Sequence, residues 1–302
     1  MSLTVKAPRR HAPVLLWSTL LLAACTHGGQ QKSAGSRPVA VPQLSAGGRT
    51  IFPVHRVVAF YGAAGVPGLG VLGQAPPLQT MPKLSAQARQ YERGGKTVIP
   101  AFELVATVAQ RAPGSAGKYS APADDATVDR YLRAAHQMRG LLILDIQPGR
   151  ADFFSEVRRY EKFLVLPDVG LALDPEWKMA SNEVPAQEIG HTTAGVINRI
   201  SAYLADIVER HNLPQKLLVI HEFTDDMVEH KEKIVTRPGI AITFHVDGFG
   251  SRPGKLSKYS LLSKRGRNWF WGLKLFYRQD VDLLAPSEVL SLRPQPDLVT
   301  YQ

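Results

Sequence analysis

The amino-acid sequence predicts a single α/β domain with a (β/α)8, TIM-like barrel, and three observations support this fold class. From about residue 55 the chain alternates short apolar runs with amphipathic stretches, a pattern typical of βα units. Eight strand candidates are present, the number that closes such a barrel. No G-x-G-x-x-G turn follows the first strand, which disfavours an open doubly wound sheet. The 302 residues, of which 44% are hydrophobic, suffice for one large core.

The predicted strands are apolar runs, most of which become polar only at their C-terminal ends, as buried parallel strands do. The first four are Arg56–Gly62, Thr97–Leu104, Leu141–Gln147 and Val169–Trp177. The last four are Lys216–Phe223, Ile240–Gly248, Gly272–Arg278 and Asp297–Tyr301. Because the chain stops at the eighth strand, the final outer helix is expected to be missing.

Helices are predicted between the strands from apolar periodicity and capping residues. They are Leu84–Arg93, Asp124–Met138, Ala151–Leu164, Thr192–Asn212, Asp225–Val235, Lys255–Ser263 and Pro286–Leu292. Two segments rich in glycine, alanine and proline, 63–82 and 111–123, are predicted to be loops.

The first 25 residues have the pattern of a bacterial secretory signal that ends in a cysteine. Three basic residues precede a short apolar run, Pro13–Leu22, whereas a membrane-spanning helix needs roughly 20 apolar residues. The following motif of Leu22, Ala23, Ala24 and Cys25 resembles the lipobox of bacterial lipoproteins. This resemblance implies that Cys25, the only cysteine, is lipidated, palmitate being one such lipid, and anchors the protein to a membrane. The alternatives are an ordinary signal peptide with a chance cysteine, or an uncleaved anchor.

The chain is therefore expected to have three segments. They are a signal peptide over 1–24, a flexible tether rich in Gly, Ser, Gln and Pro over 25–50, and the barrel domain over 51–302. We expect an exported protein, held by its lipid at the cell membrane or outer membrane. A formal charge of +10 favours anionic neighbours such as lipid headgroups or acidic envelope polymers. Nucleic acid is disfavoured as a partner, because an export signal is present and no binding motif is found.

The densest basic stretch is interpreted as a solvated loop and helix face rather than a specific site. It contains Lys255, Lys258, Lys264, Arg265 and Arg267.

Polar side chains recur at the C-terminal ends of the predicted strands, where barrel enzymes carry their active sites. The candidates for substrate binding are Tyr61, Glu103, Gln147, Trp177, His221, His245 and Lys274. The candidate catalytic carboxylates are Asp145, Asp174, Glu176 and Asp247. Buried charges are costly unless paired, so a functional or formerly functional pocket explains this recurrence better than core filling. Ion pairing inside the barrel, for instance between Lys274 and Glu103, is the structural alternative.

Two carboxylates that face one cleft are typical of glycoside cleavage, in which one is kept protonated and the other acts as nucleophile or base. In the run VGLALDPEW, Asp174 and Glu176 are two residues apart and are predicted to share one face of a strand. Glu176 is the candidate proton donor, because it is the longer and lies farther out. Tyr61, Trp177 and Trp271 are candidate platforms for a sugar ring.

The Asp-x-Glu pair at 174 and 176 resembles the strand-four motif of the chitinase-like glycoside hydrolases. Only these two residues match, because Gly170 and Ala172 stand where that motif has further aspartates. The resemblance implies the general class of barrel glycosidases. The domain as a whole is similar to exported bacterial barrel lipoproteins without a defined activity.

Two other functions stay open. Glu103, His221, His245 and Asp247 are residue types that bind Zn²⁺ or a similar ion, although their spacing matches no known ligand motif. A metal-dependent hydrolase is thus an alternative, whereas the glycosidase needs no cofactor. The third function is a non-catalytic surface lipoprotein that binds envelope glycan. An open cleft with carboxylates roughly 5–10 Å apart favours catalysis. Carboxylates that are all locked in ion pairs favour the binding protein.

Overall fold

Eight parallel strands close into a barrel, as the sequence predicts. The computed structural model describes residues 41–92, 95–263 and 269–302. Each strand pairs with the next, and the first also pairs with the last, so the sheet is closed. The strands are β1 His55–Gly62, β2 Thr97–Ala109, β3 Leu141–Ile146, β4 Val169–Leu173, β5 Lys216–Glu222, β6 Ile240–Val246, β7 Phe270–Leu275 and β8 Leu298–Tyr301. The sequence ends directly after β8.

Helices occupy most of the connections between the strands. They are α1 Pro77–Arg89, α2 Asp125–Gln137, α3 Phe153–Arg159, α4 Glu161–Leu164, α5 Ala194–Arg210, α6 Arg252–Leu262 and α7 Pro286–Ser291. Local chemistry fixes several starts: the Asp124 carboxylate caps α2 by accepting a hydrogen bond from the Thr127 N–H at 2.7 Å. Among the described residues, no helix is both long and apolar enough to cross a membrane.

One predicted helix, Asp225–Val235, is wrong. The segment instead forms two short 3-10 turns, Asp225–Met227 and Lys231–Lys233, on either side of a two-residue strand. That strand, Val228–Glu229, pairs in parallel with Thr192–Thr193 ahead of α5. Tertiary pairing thus overrides the local helical pattern. In the opposite direction, α1 begins within the predicted loop 63–82, because Pro77 is tolerated at the first helical turn.

The barrel encloses an apolar interior that is separate from the larger core between the strands and the helices. Side chains alternate along each strand, so every second residue points inward. Buried apolar residues that follow this inward series include Val57, Ala59, Ile99, Ala101, Ile143, Ala172, Val219 and Ala241. This cluster is fully buried, and the cavity described below lies at the C-terminal ends of the strands.

The segment 41–50 packs on the barrel, although the sequence predicted it as part of the tether. Leu44 is buried in the same cluster as the barrel interior, together with Ile51 and Phe52. The N–H and hydroxyl of Ser45 donate hydrogen bonds to the Asp168 carboxylate at 2.7 and 2.6 Å. The predicted signal peptide, the lipidation site Cys25 and the rest of the tether lie outside the described residues.

Candidate functional site

A layer of polar side chains lies on the apolar interior at the C-terminal ends of the strands. Alternation continues the inward series, so Glu103 follows Ala101 and Asp145 follows Ile143. Nine predicted site residues are at most 7% exposed: Tyr61, Glu103, Asp145, Gln147, Asp174, His221, His245, Asp247 and Lys274. The structure therefore brings these nine side chains together, and their roles remain predictions.

The first part of this layer is a chain of ion pairs centred on His221. Its Nδ1 lies 3.0 Å from Asp247 Oδ2, and its Nε2 lies 3.0 Å from Glu103 Oε1. Lys274 Nζ also donates to Asp247 Oδ2 at 3.0 Å. The second oxygen of Glu103 accepts a hydrogen bond from the Thr300 hydroxyl at 2.8 Å. Both carboxylates are therefore well satisfied, as buried charges require.

The second part of the layer joins Tyr61 to two further carboxyl groups. The Tyr61 hydroxyl donates to Asp145 Oδ2 at 2.7 Å. The Gln147 side-chain amide donates to Asp174 Oδ2 at 3.1 Å and to the Tyr61 oxygen at 3.2 Å. Oδ1 of Asp145 and Oδ1 of Asp174 are buried without a hydrogen-bond partner in the described part of the chain. These two groups are much less well compensated than Glu103 and Asp247.

Opposite charges keep the first part of the layer ionised. Burial opposes ionisation of Asp247, but Lys274 and the hydrogen bond with His221 outweigh it and hold the pKa of Asp247 far below its usual range. The pKa of Glu103 is lowered for the same reason, chiefly by His221. Burial and Lys274 lower the pKa of His221, but its hydrogen bonds to Asp247 and Glu103 dominate and raise it well above the ordinary value.

Burial and mutual repulsion keep the remaining carboxyl groups protonated to higher pH. Burial raises the pKa of Asp145 to about 6, and burial with the charge of Asp145 raises that of Asp174 to about 7. Burial followed by the charges of Asp174 and Asp247 raises the pKa of Glu176 to about 8. Near pH 7, Glu176 is therefore mainly protonated and can donate a proton, whereas Asp247 is ionised.

A cavity of about 500 Å³ opens above this layer. Among its lining residues are both parts of the polar layer and the turn after β4: Tyr61, Gln147, Glu176, Trp177, Asp247 and Lys274. Its apolar walls include Leu69, Val105, Phe223, Phe249 and Phe276, and Lys258 also lines it. The volume and the mixture of aromatic and polar walls are typical of small-molecule sites.

Not every predicted site residue reaches this cavity. Glu103, Asp145, Asp174, His221 and His245 are absent from its lining and lie in the buried layer. Trp271 is not a sugar platform, because it is buried against Phe244 on the outer side of the barrel, with ring centroids 6.1 Å apart. On β7 the residues that face the barrel interior are Gly272 and Lys274, on either side of the outward-facing Leu273.

Asp174 and Glu176 do not share a strand face, so that prediction is wrong. β4 ends at Leu173, and Pro175–Trp177 forms a 3-10 turn. Pro175 cannot supply the N–H needed to continue the strand ladder, which explains the early end. Asp174 keeps the inward direction set by Ala172, while the turn carries Glu176 and Trp177 to the cavity wall.

Three groups in the layer are close enough to consider as metal ligands. Donor atoms of Glu103, His221 and His245 lie within 4.8 Å of one another. Both ring nitrogens of His245 are buried and lack a hydrogen-bond partner among the described residues. His221, however, already contacts a carboxylate with each nitrogen, and Glu103 accepts two hydrogen bonds. An ion would have to displace the His221–Glu103 hydrogen bond, so the fit is partial.

Sequence reasoning missed some residues of the site. Thr300 had a usable signal, because it is the polar residue near the end of the eighth predicted strand. Lys258 was assigned to a solvated face, yet it lines the cavity. Lys255, from the same stretch, is buried and forms an ion pair with Asp280 at 2.7 Å. The other three members of the stretch, at 264, 265 and 267, lie outside the described residues.

The fold and site together define a (β/α)8 barrel with a carboxylate-rich, aromatic-lined cavity at the C-terminal ends of its strands. No protein-family model matches the sequence, and no curated protein matches it. Three similar solved structures are a hyperthermophilic endo-beta-1,4-glucanase in complex with substrate, a GH18 chitinase from Pseudoalteromonas aurantia and a glycoside hydrolase-like protein.

Sequence identities to these three structures are 9%, 8% and 10%, with TM-scores of 0.42, 0.38 and 0.40. The alignments cover 82%, 82% and 88% of this chain, and 89%, 93% and 86% of the respective structures. Such distant similarity carries no information about activity. The barrel assignment itself rests on the closed order of the eight strands.

Proposed function

We propose that this barrel is a glycoside hydrolase that cleaves a carbohydrate of the cell envelope or its surroundings. The observation that carries the proposal is that Glu176 and Asp247 line the same open cavity. The surroundings of Glu176 favour its protonated form, and those of Asp247 favour its ionised form. Glu176 has no ion pair in the described ranges, whereas Asp247 is paired with Lys274 and His221. A pair of carboxyl groups whose environments separate their protonation is what acid-assisted glycoside cleavage requires.

In this mechanism Glu176 donates its proton to the oxygen of the leaving sugar. The Asp247 carboxylate has a strongly lowered pKa and is a weak base, so it supplies the opposing negative charge that stabilises the oxocarbenium-like transition state. The ionised Glu176 then takes the proton of the attacking water. Because both oxygens of Asp247 are hydrogen-bonded, Oδ2 to His221 and Lys274 and Oδ1 to the Gly248 N–H at 2.6 Å, its charge is fixed in position. Trp177 offers aromatic surface to a sugar ring. Tyr61 does not, because it is 3% exposed and the Lys274 ammonium lies 3.5 Å from the centre of its ring.

Asp145 and Asp174 act as supporting groups below the cavity wall in this proposal. The negative charge of Asp174 is the largest contribution after burial to the raised pKa of Glu176. Both aspartates are hydrogen-bonded to residues that line the cavity: Asp145 to Tyr61, and Asp174 to Gln147. Loss of this support is expected to change the pH dependence of catalysis more than substrate binding.

The location of the protein is also part of the proposal. The lipobox-like motif supports export, lipidation of Cys25 and anchoring at the cell membrane or outer membrane. Detergent partitioning and mass spectrometry of the N-terminal peptide test this: wild type should carry a diacylglyceryl group on Cys25, and Cys25→Ser should accumulate unprocessed. An unmodified Cys25 in the exported protein would overturn this part.

Turnover of glycans by purified full-length protein in detergent tests the catalytic proposal. Envelope and plant polysaccharides are supplied to wild type, Glu176→Gln and Asp247→Asn, with thermal unfolding as the folding control. The proposal predicts that wild type releases reducing sugar and that each variant loses about 100-fold or more of kcat. Full turnover by Glu176→Gln would remove Glu176 from its role. Binding without turnover by all three proteins would favour a non-catalytic glycan-binding protein.

A metal-dependent hydrolase is the second candidate, supported by the buried and unpartnered ring nitrogens of His245. In that case Glu103, His221 and His245 would hold the ion, and it would supply Lewis-acid chemistry. Metal analysis of the purified protein discriminates the two functions. One equivalent of bound metal, lost in His245→Ala, would favour this candidate over the glycosidase.

A further inference from the structure

The cavity has a lysine at its wall that the catalytic proposal does not use. Lys258 lies on α6, the helix that follows β6, and lines the cavity together with Asp247 and Gly248 from the end of that strand. Gly248 has φ +89°, and a Cβ there would stand 2.4 Å from Lys258 Nζ. The ammonium therefore packs directly against the backbone of Gly248, at the end of β6. The ammonium also lies 5.4 Å from the centre of the Phe223 ring.

The charge of Lys258 is not compensated by an acid. Within the described residues it has no ion pair; its ammonium lies over the Phe223 ring and repels that of Lys255, whose pKa it helps to lower. Lys255, one turn earlier on the same helix, instead pairs with Asp280 and donates to the Lys274 carbonyl at 2.7 Å. The second ammonium on the cavity wall, Lys274, is paired with Asp247.

The side chains on the cavity wall therefore carry more positive than negative charge at neutral pH. Among the described side chains that line the wall, Lys258 and Lys274 carry ammonium groups, and Asp247 carries the one ionised carboxylate. Glu176, the other carboxyl group on the wall, is held mainly in its neutral form by burial and by the neighbouring acids. A concave site with one uncompensated charge attracts a ligand of the opposite sign.

We propose that the cavity binds an acidic carbohydrate, a glycan whose sugar rings carry a carboxylate, and that Lys258 is the specificity residue that pairs with this carboxylate. The inference rests on the proposed function for the substrate being a carbohydrate. A lysine provides a single point charge, which matches one carboxylate, whereas a doubly charged phosphate is more often met by an arginine fork or by several donors. Phe223 and Phe276 also line the cavity and offer apolar surface to the rest of the sugar ring.

Matched pairs of glycans that differ only in charge test this inference. Polygalacturonate, alginate and hyaluronan are each compared with their methyl esters, by calorimetric binding and by turnover. Full-length wild type, Lys258→Gln and Lys83→Gln are used, where Lys83 is an exposed lysine of α1 that does not line the cavity. Equal unfolding temperatures of the three proteins confirm that the folds are intact.

At least one pair should show preference for the acid form by wild type, and Lys258→Gln should reduce that preference about 10-fold or more, while Lys83→Gln keeps it. No preference in any pair, or a preference that Lys258→Gln retains in full, would overturn the inference. Turnover of a neutral glycan that depends on Glu176 but not on Lys258 would leave the hydrolase standing and remove only the acidic specificity. A Lys258-dependent preference in binding without turnover would support the ligand class and remove the hydrolase.

Discussion

His221 Nδ1 lies 3.0 Å from Asp247 Oδ2 in a part of the barrel where neither side chain is more than 8% exposed. The other ring nitrogen of His221 makes an equivalent contact with Glu103, so one imidazolium bridges two buried carboxylates. The free energy of this arrangement depends on all three charges, since removal of one leaves another without compensation. This network of charges holds Glu103 and Asp247 in their ionised forms.

Replacement of the bridging imidazole is expected to be strongly destabilising. His221→Gln should lower the free energy of unfolding by about 3–5 kcal/mol, because Glu103 and Asp247 lose their shared cation in a buried place. Urea denaturation at pH 7 measures the change. His191→Gln is the control, because His191 is exposed and its contact with Glu229 is 3.6 Å; it should change stability by less than about 0.5 kcal/mol. Equal stability of the two variants would contradict the bridging role.

The activity should fall at alkaline pH because the proton on Glu176 is needed. Burial and the charges of Asp174 and Asp247 raise the pKa of Glu176 to about 8, so kcat/KM should decrease about tenfold per pH unit above that value. Asp174→Asn removes one of these charges and should move the alkaline limb to lower pH. A limb that stays in place in this variant would show that Asp174 does not tune Glu176.

Stability should also depend on pH through Glu176. Its folded-state pKa of about 8 lies above the unfolded value of about 4, so the folded protein holds the proton more tightly. This contribution is fully present below pH 4 and is lost as the pH rises through about 8. Glu176→Gln cannot ionise, so its unfolding temperature should fall less between pH 5 and pH 8 than that of wild type.

Calorimetry of both proteins at the two pH values measures this difference, at about 2–4 °C for each kcal/mol. Glu188→Gln is the matched control, because Glu188 is an exposed acid in the connection between β4 and α5. Parallel pH curves for wild type and Glu176→Gln would contradict the protonated state of Glu176.

Gly272 makes room for His245, and a side chain at 272 should disturb the polar layer. A Cβ at Gly272 would stand 2.2 Å from Cδ2 of the His245 ring. Gly272→Ala should therefore destabilise the protein by about 1–3 kcal/mol as the ring is displaced. Gly195→Ala, in the first turn of α5, meets nothing closer than 3.4 Å and should be neutral or slightly stabilising. The same loss in both variants would show that the His245 contact is unimportant.

The barrel and the polar end of its strands could be predicted from the sequence because both follow from alternation. In LLILDIQ, Asp145 follows Leu141 and Ile143 in the inward series, and in ITFHVDG, Asp247 follows Thr243 and His245; the structure keeps that order. The structure of the segment 225–235 could not be predicted correctly, because its local helical pattern competes with a strand pairing to Thr192, which is distant in sequence.

The sequence could not predict which acids of the site are ionised and which stay protonated to higher pH. From the sequence, Lys274 was a candidate partner of Glu103, but the structure pairs it with Asp247. Which acid meets which base is set by neighbouring strands whose register no single segment encodes. The role of Lys258 was hidden for a similar reason, since its position depends on the close approach of α6 to Gly248.

The leaving-group dependence of hydrolysis tests the central claim most directly. A dinitrophenyl glycoside and an unactivated glycoside of the same sugar are supplied to wild type and Glu176→Gln, and kcat/KM is measured for each. Because a dinitrophenolate leaves without a proton, the variant should keep most activity on the first substrate and lose about 10²–10⁴-fold on the second. Equal losses on both substrates, or full turnover of the unactivated glycoside by the variant, would contradict Glu176 as the proton donor.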